Sequence, residues 1–205
     1  NSPALKEEDA YPAMPEDGYG WEKLFSERMC RHFYEDYGLE TRVGRYHNVY
    51  GPYGTFDGGR EKAPAALCRK IIEATKDINP EIEIWGDGMQ TRSFLYIDDC
   101  IEGTLKLFDS NHREPLNIGS DELVSIKDMV KIIIDLSKYK KHINFNYDLT
   151  KPLGVRGRNS DNTKLIDVLK WNYKTNLNEG LAMTYEWISK EINNPNNRSN
   201  IFRRS

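Results

Sequence analysis

The chain has 205 residues, 38% of them hydrophobic, which is enough apolar content to build the core of one domain or somewhat more. Its 29 Lys and Arg against 32 Asp and Glu leave no overall basic field for nucleic acid, and no run of apolar residues is long enough to cross a membrane. The three cysteines, Cys30, Cys68 and Cys100, are odd in number, far apart and without metal-ligand spacing, which fits reduced thiols in a cytoplasmic protein.

In chain order, residues 1–16 are acidic, carry Pro3, Pro12 and Pro15, and read as a loop. The start at Asn1 has no initiator methionine and no apolar signal region, so the chain reads as the later part of a longer one. Asp17 is placed to N-cap a helix in which Trp21, Leu24, Phe25, Cys30 and Phe33 keep an apolar period, with Gly38 as its C-terminal stop. In its first turns Tyr19 and Lys23 stand four residues apart on one face. A cation beside a phenol favours the phenolate, as a proton-accepting pair requires, while the same spacing also arises in any surface pair on an amphipathic helix.

Leu39 to Arg45 reads as a strand, followed by loops at Asn48–Gly54 and Gly58–Pro64, with Pro64 opening a helix that runs to about Lys76. Ile82 to Trp85 alternates as a strand ending at Gly86-Asp87-Gly88. That turn half-matches a dinucleotide-binding glycine fingerprint but lacks its third glycine and leads into another strand, so it is rejected as a phosphate cradle. Ser93 to Ile97 reads as a strand entering a helix at Asp98, Leu116 to Ile118 as a strand, and Ser125 to Lys138 as a helix capped by Ser125. A strand at Ile143 to Tyr147, a loop over residues 154–161 and helices at Thr163–Leu169 and Leu177–Ile192 follow, before an Asn-rich basic tail from Asn193. The alternation is α/β, with no internal repeat and no linear domain boundary.

Five landmarks occur in order: Tyr19-x-x-x-Lys23, Asn48-Val49-Tyr50-Gly51-Pro52, Gly86-Asp87-Gly88-x-Gln90-x-Arg92-Ser93-Phe94, Tyr96-Ile97-Asp98-Asp99 and Asn117-Ile118-Gly119. In this the chain resembles the extended short-chain dehydrogenase/reductases that modify nucleotide sugars. The stretches Tyr50–Thr55, Gly58–Ala66 and residues 154–162 are similar to those of the GDP-mannose 3,5-epimerases within that family. The resemblance implies an α/β fold: the C-terminal part of a Rossmann-type extended fold, interleaved with a small α/β substrate-binding region. Residues 1–192 would be the C-terminal part of an NAD-dependent epimerase/dehydratase domain whose glycine-rich NAD-binding half is absent, and residues 193–205 a flexible tail.

What the resemblance implies for chemistry is NAD-dependent epimerisation of a GDP-sugar at carbons 3 and 5 through a transient 4-keto sugar. Tyr19 would be the redox base, and Lys23 would support it and hold the nicotinamide ribose, so that both are also cofactor-binding residues. Lys62 would be the general acid opposite a cysteine base that has no counterpart here, against the bland reading of a solvated loop lysine. Asn48, Glu61, Lys62, Ala63, Lys70, Gln90, Thr91, Arg92 and Arg156 would bind substrate, with the two arginines on the diphosphate. Arg158, two residues from Arg156, could exchange roles with it in an extended segment. A homodimer through the helix that starts at Tyr19 is the implied assembly, with no metal, nucleic-acid or membrane partner. Another nucleotide-sugar 4-epimerase or 4,6-dehydratase, or a non-catalytic remnant that binds nucleotide sugar or a partner, are the competing readings.

Overall fold

The computed structural model describes residues 4–15, 17–151 and 157–194. Its longest helix, α1 (Gly18–Tyr37), begins where the Asp17 carboxylate accepts a bond from the Gly20 N–H at 2.9 Å. It ends at Gly38, whose φ of 67° lets the chain turn while its N–H donates to Tyr34 O. The expected apolar period is present, yet no residue of α1 is buried, and Trp21, Phe25, Phe33 and Tyr37 are exposed.

The strands that follow are short and mostly parallel. β1 (Gly44–Tyr46) pairs with β6 (Leu116–Ile118), β2 (Val49–Tyr50) with β5 (Leu95–Tyr96), and β3 (Glu81–Trp85) with β8 (Asn144–Asp148), all in parallel. β4 (Thr91–Arg92) is the centre of a three-stranded sheet, antiparallel to β7 (Val124–Ser125) and parallel to β9 (Gly157–Arg158). Between them run α2 (Ala63–Ala74), α3 (Ile97–Asp109), α4 (Ile126–Ser137), α5 (Thr163–Leu169) and α6 (Leu177–Asn193). Crossover helices between parallel strands are what an α/β alternation requires.

Several boundaries differ from the sequence reading. The first strand is confined to Gly44–Tyr46 rather than beginning at Leu39, because the residues before it have no ladder partner in the described chain. Of the stretch read as a strand over Ser93–Ile97 only Leu95–Tyr96 is strand, as β5; β4 precedes it at Thr91–Arg92 in a different sheet, and Ile97 already begins α3. Residues 49–50 and 157–158, read as loop, pair as β2 and β9 because the strand beside each supplies its backbone partners. The proline-rich start is likewise tied down: a 3-10 turn at Glu7–Ala10 follows a parallel bridge between Leu5 and Ser160.

Two apolar clusters explain why no linear boundary is visible. One gathers Ile71, Ile82, Ile84, Met129, Ile133, Leu181 and Ile188 from α2, β3, α4 and α6. The other gathers Leu107, Leu116, Ile118, Leu165 and Trp171 from α3, β6, α5 and the segment after it. β5 serves both, because consecutive strand residues face opposite sides: Leu95 packs in the second cluster and Tyr96 in the first. Cys68 and Cys100 are buried, and Cys30 is half-buried on α1.

Candidate functional site

Tyr19 and Lys23 lie one turn apart at the start of α1, with the Lys23 ammonium 4.9 Å from the centre of the Tyr19 ring. Both are exposed, and among the described residues Lys23 otherwise meets only Glu22, at 3.4 Å. The pair is held by its helix rather than by a cavity. A bidentate bridge ties that helix to the sheet: Arg45 Nε and Nη2 of β1 donate to the two Glu27 carboxylate oxygens, each at 2.7 Å.

A second group of residues surrounds the N-terminus of α2. Lys62 is the N-cap residue, with extended backbone, and Ala63 and Pro64 begin the helix. Lys62 is exposed, and its ammonium has no partner among the described residues. Beside it Glu61 reaches Arg69 at 3.5 Å, and Arg69 also meets Asp57 and Glu73 while its Nε donates to Phe56 O at 2.9 Å. Arg69 thereby fastens the loop before α2 to the helix and fixes where Glu61 and Lys62 emerge. The second Glu61 oxygen, Oε2, is buried without a partner among the described residues, a state that favours a donor from a ligand or water.

Lys70, about two helical turns along α2 from Lys62, donates to Glu83 O at 3.0 Å and approaches the Glu83 carboxylate at 3.4 Å. The Trp85 indole N–H also donates to that carboxylate, at 3.0 Å, and the two donors hold Glu83 below the usual carboxylate range, the indole contributing most. The Gln90 side chain closes the group by donating to Trp85 O at 2.8 Å, leaving its carbonyl oxygen buried and unpartnered.

The third group is built by β4 and β9. Thr91 stands opposite Gly157 and Arg92 opposite Arg158 in the parallel ladder, so two guanidinium groups share one face. Burial and the charge of Arg158 push Arg92 below its ordinary range, the signature of a cationic spot that an anion would relieve. Asn48 joins this group: its amide donates to Ser93 O at 3.3 Å while the Ser93 N–H donates to Arg158 O at 3.2 Å. A pocket of about 310 Å³ opens beside Asn48 and Arg158, with His47, Asn117, Lys6 and Asp9 also in its wall.

The structure therefore brings Asn48, Thr91, Arg92 and Arg158 together, sets Gln90 with Lys70, and sets Glu61 with Lys62 and Ala63. No hydrogen bond or ion pair among the described residues links Tyr19 or Lys23 to these groups. Arg156 lies outside the described residues. Arg158 is the arginine of that segment whose position is seen, and the two-residue spacing of a strand was the signal for it. His47, Ser93 and Trp85 entered none of the sequence-derived site sets, because only the fold sets His47 beside Arg158, Ser93 beside Asn48 and the Trp85 carbonyl on the Gln90 amide. The rejected turn at Gly86-Asp87-Gly88 leads into β4 rather than into a helix, and the first N–H groups of α4 that reach it, those of Ile126 and Lys127, are taken by Gln90 O and Gly88 O. No group of metal-ligating side chains and no helix long and apolar enough to cross a membrane occurs among the described residues.

Residues 1–119 match the NAD dependent epimerase/dehydratase family, and the chain belongs to that family. Within it, the chain is 51% identical over 189 residues to GDP-mannose 3,5-epimerase of Arabidopsis thaliana and 52% identical to GDP-mannose 3,5-epimerase 1 of Oryza sativa subsp. indica, covering 92% of this chain and 48% of each relative. The chain thus spans about half the length of these curated relatives. Among solved structures it is similar to UDP-glucose 4-epimerase of Thermotoga maritima, with a TM-score of 0.77 and 28% identity over 87% of this chain and 55% of that one. It is also similar to UDP-glucuronic acid 4-epimerase of Bacillus cereus in complex with UDP-glucuronic acid and NAD, with a TM-score of 0.76 and 29% identity over 93% of this chain and 57% of that one.

Proposed function

We propose that this chain carries the redox base and most of the sugar-nucleotide pocket of an NAD-dependent epimerase that acts on GDP-mannose at carbons 3 and 5. The observation that carries this reading is the gap in identity: 51% to the Arabidopsis GDP-mannose 3,5-epimerase against 29% to GDP-L-fucose synthase 1 of the same plant. NAD, when bound, supplies reversible oxidation at carbon 4 of the sugar. Tyr19 then takes the proton of the carbon 4 hydroxyl, while Lys23 offsets the charge on the phenol oxygen and holds the nicotinamide ribose. These two residues fit such a role because both are exposed on one helical face and neither is consumed by the core.

A ketone at carbon 4 acidifies the neighbouring C–H bonds, so a proton can leave and return at carbons 3 and 5. Lys62, with its ammonium unpaired among the described residues at the mouth of α2, is the acid that returns it. The opposing base is not one of this chain's described cysteines, since Cys68 and Cys100 are buried and Cys30 sits on α1. Arg92 and Arg158, with Arg156 beside them in sequence, take the diphosphate, and Asn48, Glu61, Ala63, Lys70, Gln90 and Thr91 shape the rest of the pocket. The NAD diphosphate cradle would belong to the part of the relatives' length that this chain does not span. Residues 1–192 would form the C-terminal part of that domain and residues 193–205 a flexible tail, in a cytoplasmic homodimer assembled through the exposed apolar face of α1.

The test is solvent exchange. A chimera that joins the preceding half of the Arabidopsis relative to residues 1–205 should bind NAD and introduce deuterium from D2O into carbons 3 and 5 of GDP-mannose, and Tyr19→Phe should abolish the exchange. A chimera that binds NAD yet exchanges no deuterium would sink the proposal. Inversion at carbon 4 without such exchange would assign it to the 4-epimerase chemistry named for its structural neighbours.

A further inference from the structure

We propose that His47 contacts the sugar of the bound nucleotide sugar, presenting an imidazole nitrogen as acceptor to a sugar hydroxyl; this rests on the function proposed above. His47 follows β1 directly, beyond the carboxyl end of a parallel strand, which is where open α/β sheets receive ligands. Its N–H donates to Ile118 O at 3.1 Å, so the ladder of β1 with β6 extends one residue past the strand and fixes the backbone that carries the ring. Across from it is Gly119, where a Cβ would stand 2.9 Å from both His47 Cβ and Cγ. The missing side chain at Gly119 therefore makes the space in which the imidazole sits.

The ring lines the same pocket of about 310 Å³ as Asn48 and Arg158. Arg158 is a candidate diphosphate ligand, so the group attached to the diphosphate lies within reach of the remaining wall. That wall is rich in donors: Lys6, Arg45, Arg158 and the Asn48 amide. A sugar hydroxyl donates as well as accepts, and the acceptors offered there by ionisable side chains are Asp9 and a neutral His47.

The groups facing His47 decide its form. Asn117 comes from β6, Arg158 from β9 and Glu7 from the 3-10 turn, while Arg45 on β1 is held by Glu27 and Lys6 and Asp9 border the cavity. The Asn117 amide N–H donates to Leu5 O at 3.0 Å, so its carbonyl oxygen is the atom left to accept from the imidazole N–H. Burial foremost, then the charge of Arg158, hold the ring below the usual histidine range against the opposing influence of Asn117 and Glu7. A neutral imidazole with one nitrogen donating leaves the other as an acceptor.

Calorimetric titration of the chimera described above with GDP-mannose and with GDP, at pH 8, tests this. His47→Phe should weaken GDP-mannose by about fivefold to tenfold, the effect of one neutral hydrogen bond, and leave GDP unchanged. His47→Gln, which restores an acceptor, should recover part of the loss. Equal loss for GDP and GDP-mannose would show a structural role and overturn the proposal, as would wild-type affinity in His47→Phe. If the wild-type chimera binds neither ligand, the proposed function fails with it; if it binds both and the variants change nothing, only the role of His47 fails.

Discussion

The helix that carries Tyr19 and Lys23 has no buried residue, and its anchor can be cut with one atom's worth of chemistry. None of the residues of α1 is buried, so its attachment leans on the bridge from Arg45 Nε and Nη2 to Glu27, both contacts at 2.7 Å, with side chains only 18% and 12% exposed. Glu27→Gln keeps the shape, removes the negative charge and leaves one of the two bonds without an acceptor. A charge-assisted bond contributes about 1.5–3 kcal/mol, and leaving a largely buried guanidinium short of its counter-charge adds to the loss, so about 2 kcal/mol is expected. Arg45 Nη1 still donates to Glu7 O at 2.7 Å, which limits the damage to the helix rather than the strand. Amide hydrogen exchange reads this locally: α1 should exchange about thirtyfold faster, as 2 kcal/mol converts, while α2 and α6 keep their protection. Acceleration of α1 by less than twofold would refute the claim that this bridge anchors it.

Other outcomes follow from the core and its titrating groups. Leu181→Ala, at a fully buried position of the larger cluster, should cost about 2–5 kcal/mol, seen as a lower urea midpoint with an unchanged slope. Gly180→Ala should cost about 1–3 kcal/mol, because its new methyl group would run into the Tyr50 hydroxyl and stand 3.0 Å from Tyr96 Cδ2. His47 and His112 are both held below the ordinary histidine range, mainly by burial, so below a pH of about 6.5 the unfolded chain takes up protons that the folded one refuses. Stability measured by urea unfolding should therefore be full above that pH and fall as pH drops below it, and His47→Phe with His112→Phe should flatten the slope. In a native thiol titration Cys30 should react first and Cys68 last, since burial excludes reagent from Cys68 and pushes its thiol up.

Much of this architecture is legible along the chain because its signals are local. Asp17 and Gly38 delimit α1, Ser125 caps α4 with its Oγ accepting from the Asp128 N–H at 3.0 Å, and Asn176 and Glu179 cap each other at the start of α6. Strands were less legible. Two-residue strands such as β2, β4 and β9 carry too few residues for a period and exist only because a neighbour completes their backbone bonds. Likewise Asp99, placed to start α3, turns its carboxylate to the N–H groups of Lys174 and Thr175, each at 3.0 Å, a contact across 75 and 76 residues that no local pattern encodes.

For the site, the sequence by itself determined the chemical types and their order: a tyrosine and lysine one turn apart, a lysine ahead of Pro64, and arginines near positions 92 and 156. Those facts are fixed by spacing along one helix or one loop. Tertiary structure decided which of them meet. It set Arg158 opposite Arg92 through the register of β9 against β4, turned Lys70 and Gln90 onto β3, and brought His47 into the wall beside Asn48. It also left α1 with its aromatic face bare, although Trp21, Phe25 and Phe33 keep an apolar period along the sequence. The physical reason is common to all of these: a periodic apolar face states that a helix must be covered, and only the arrangement of distant elements states by what.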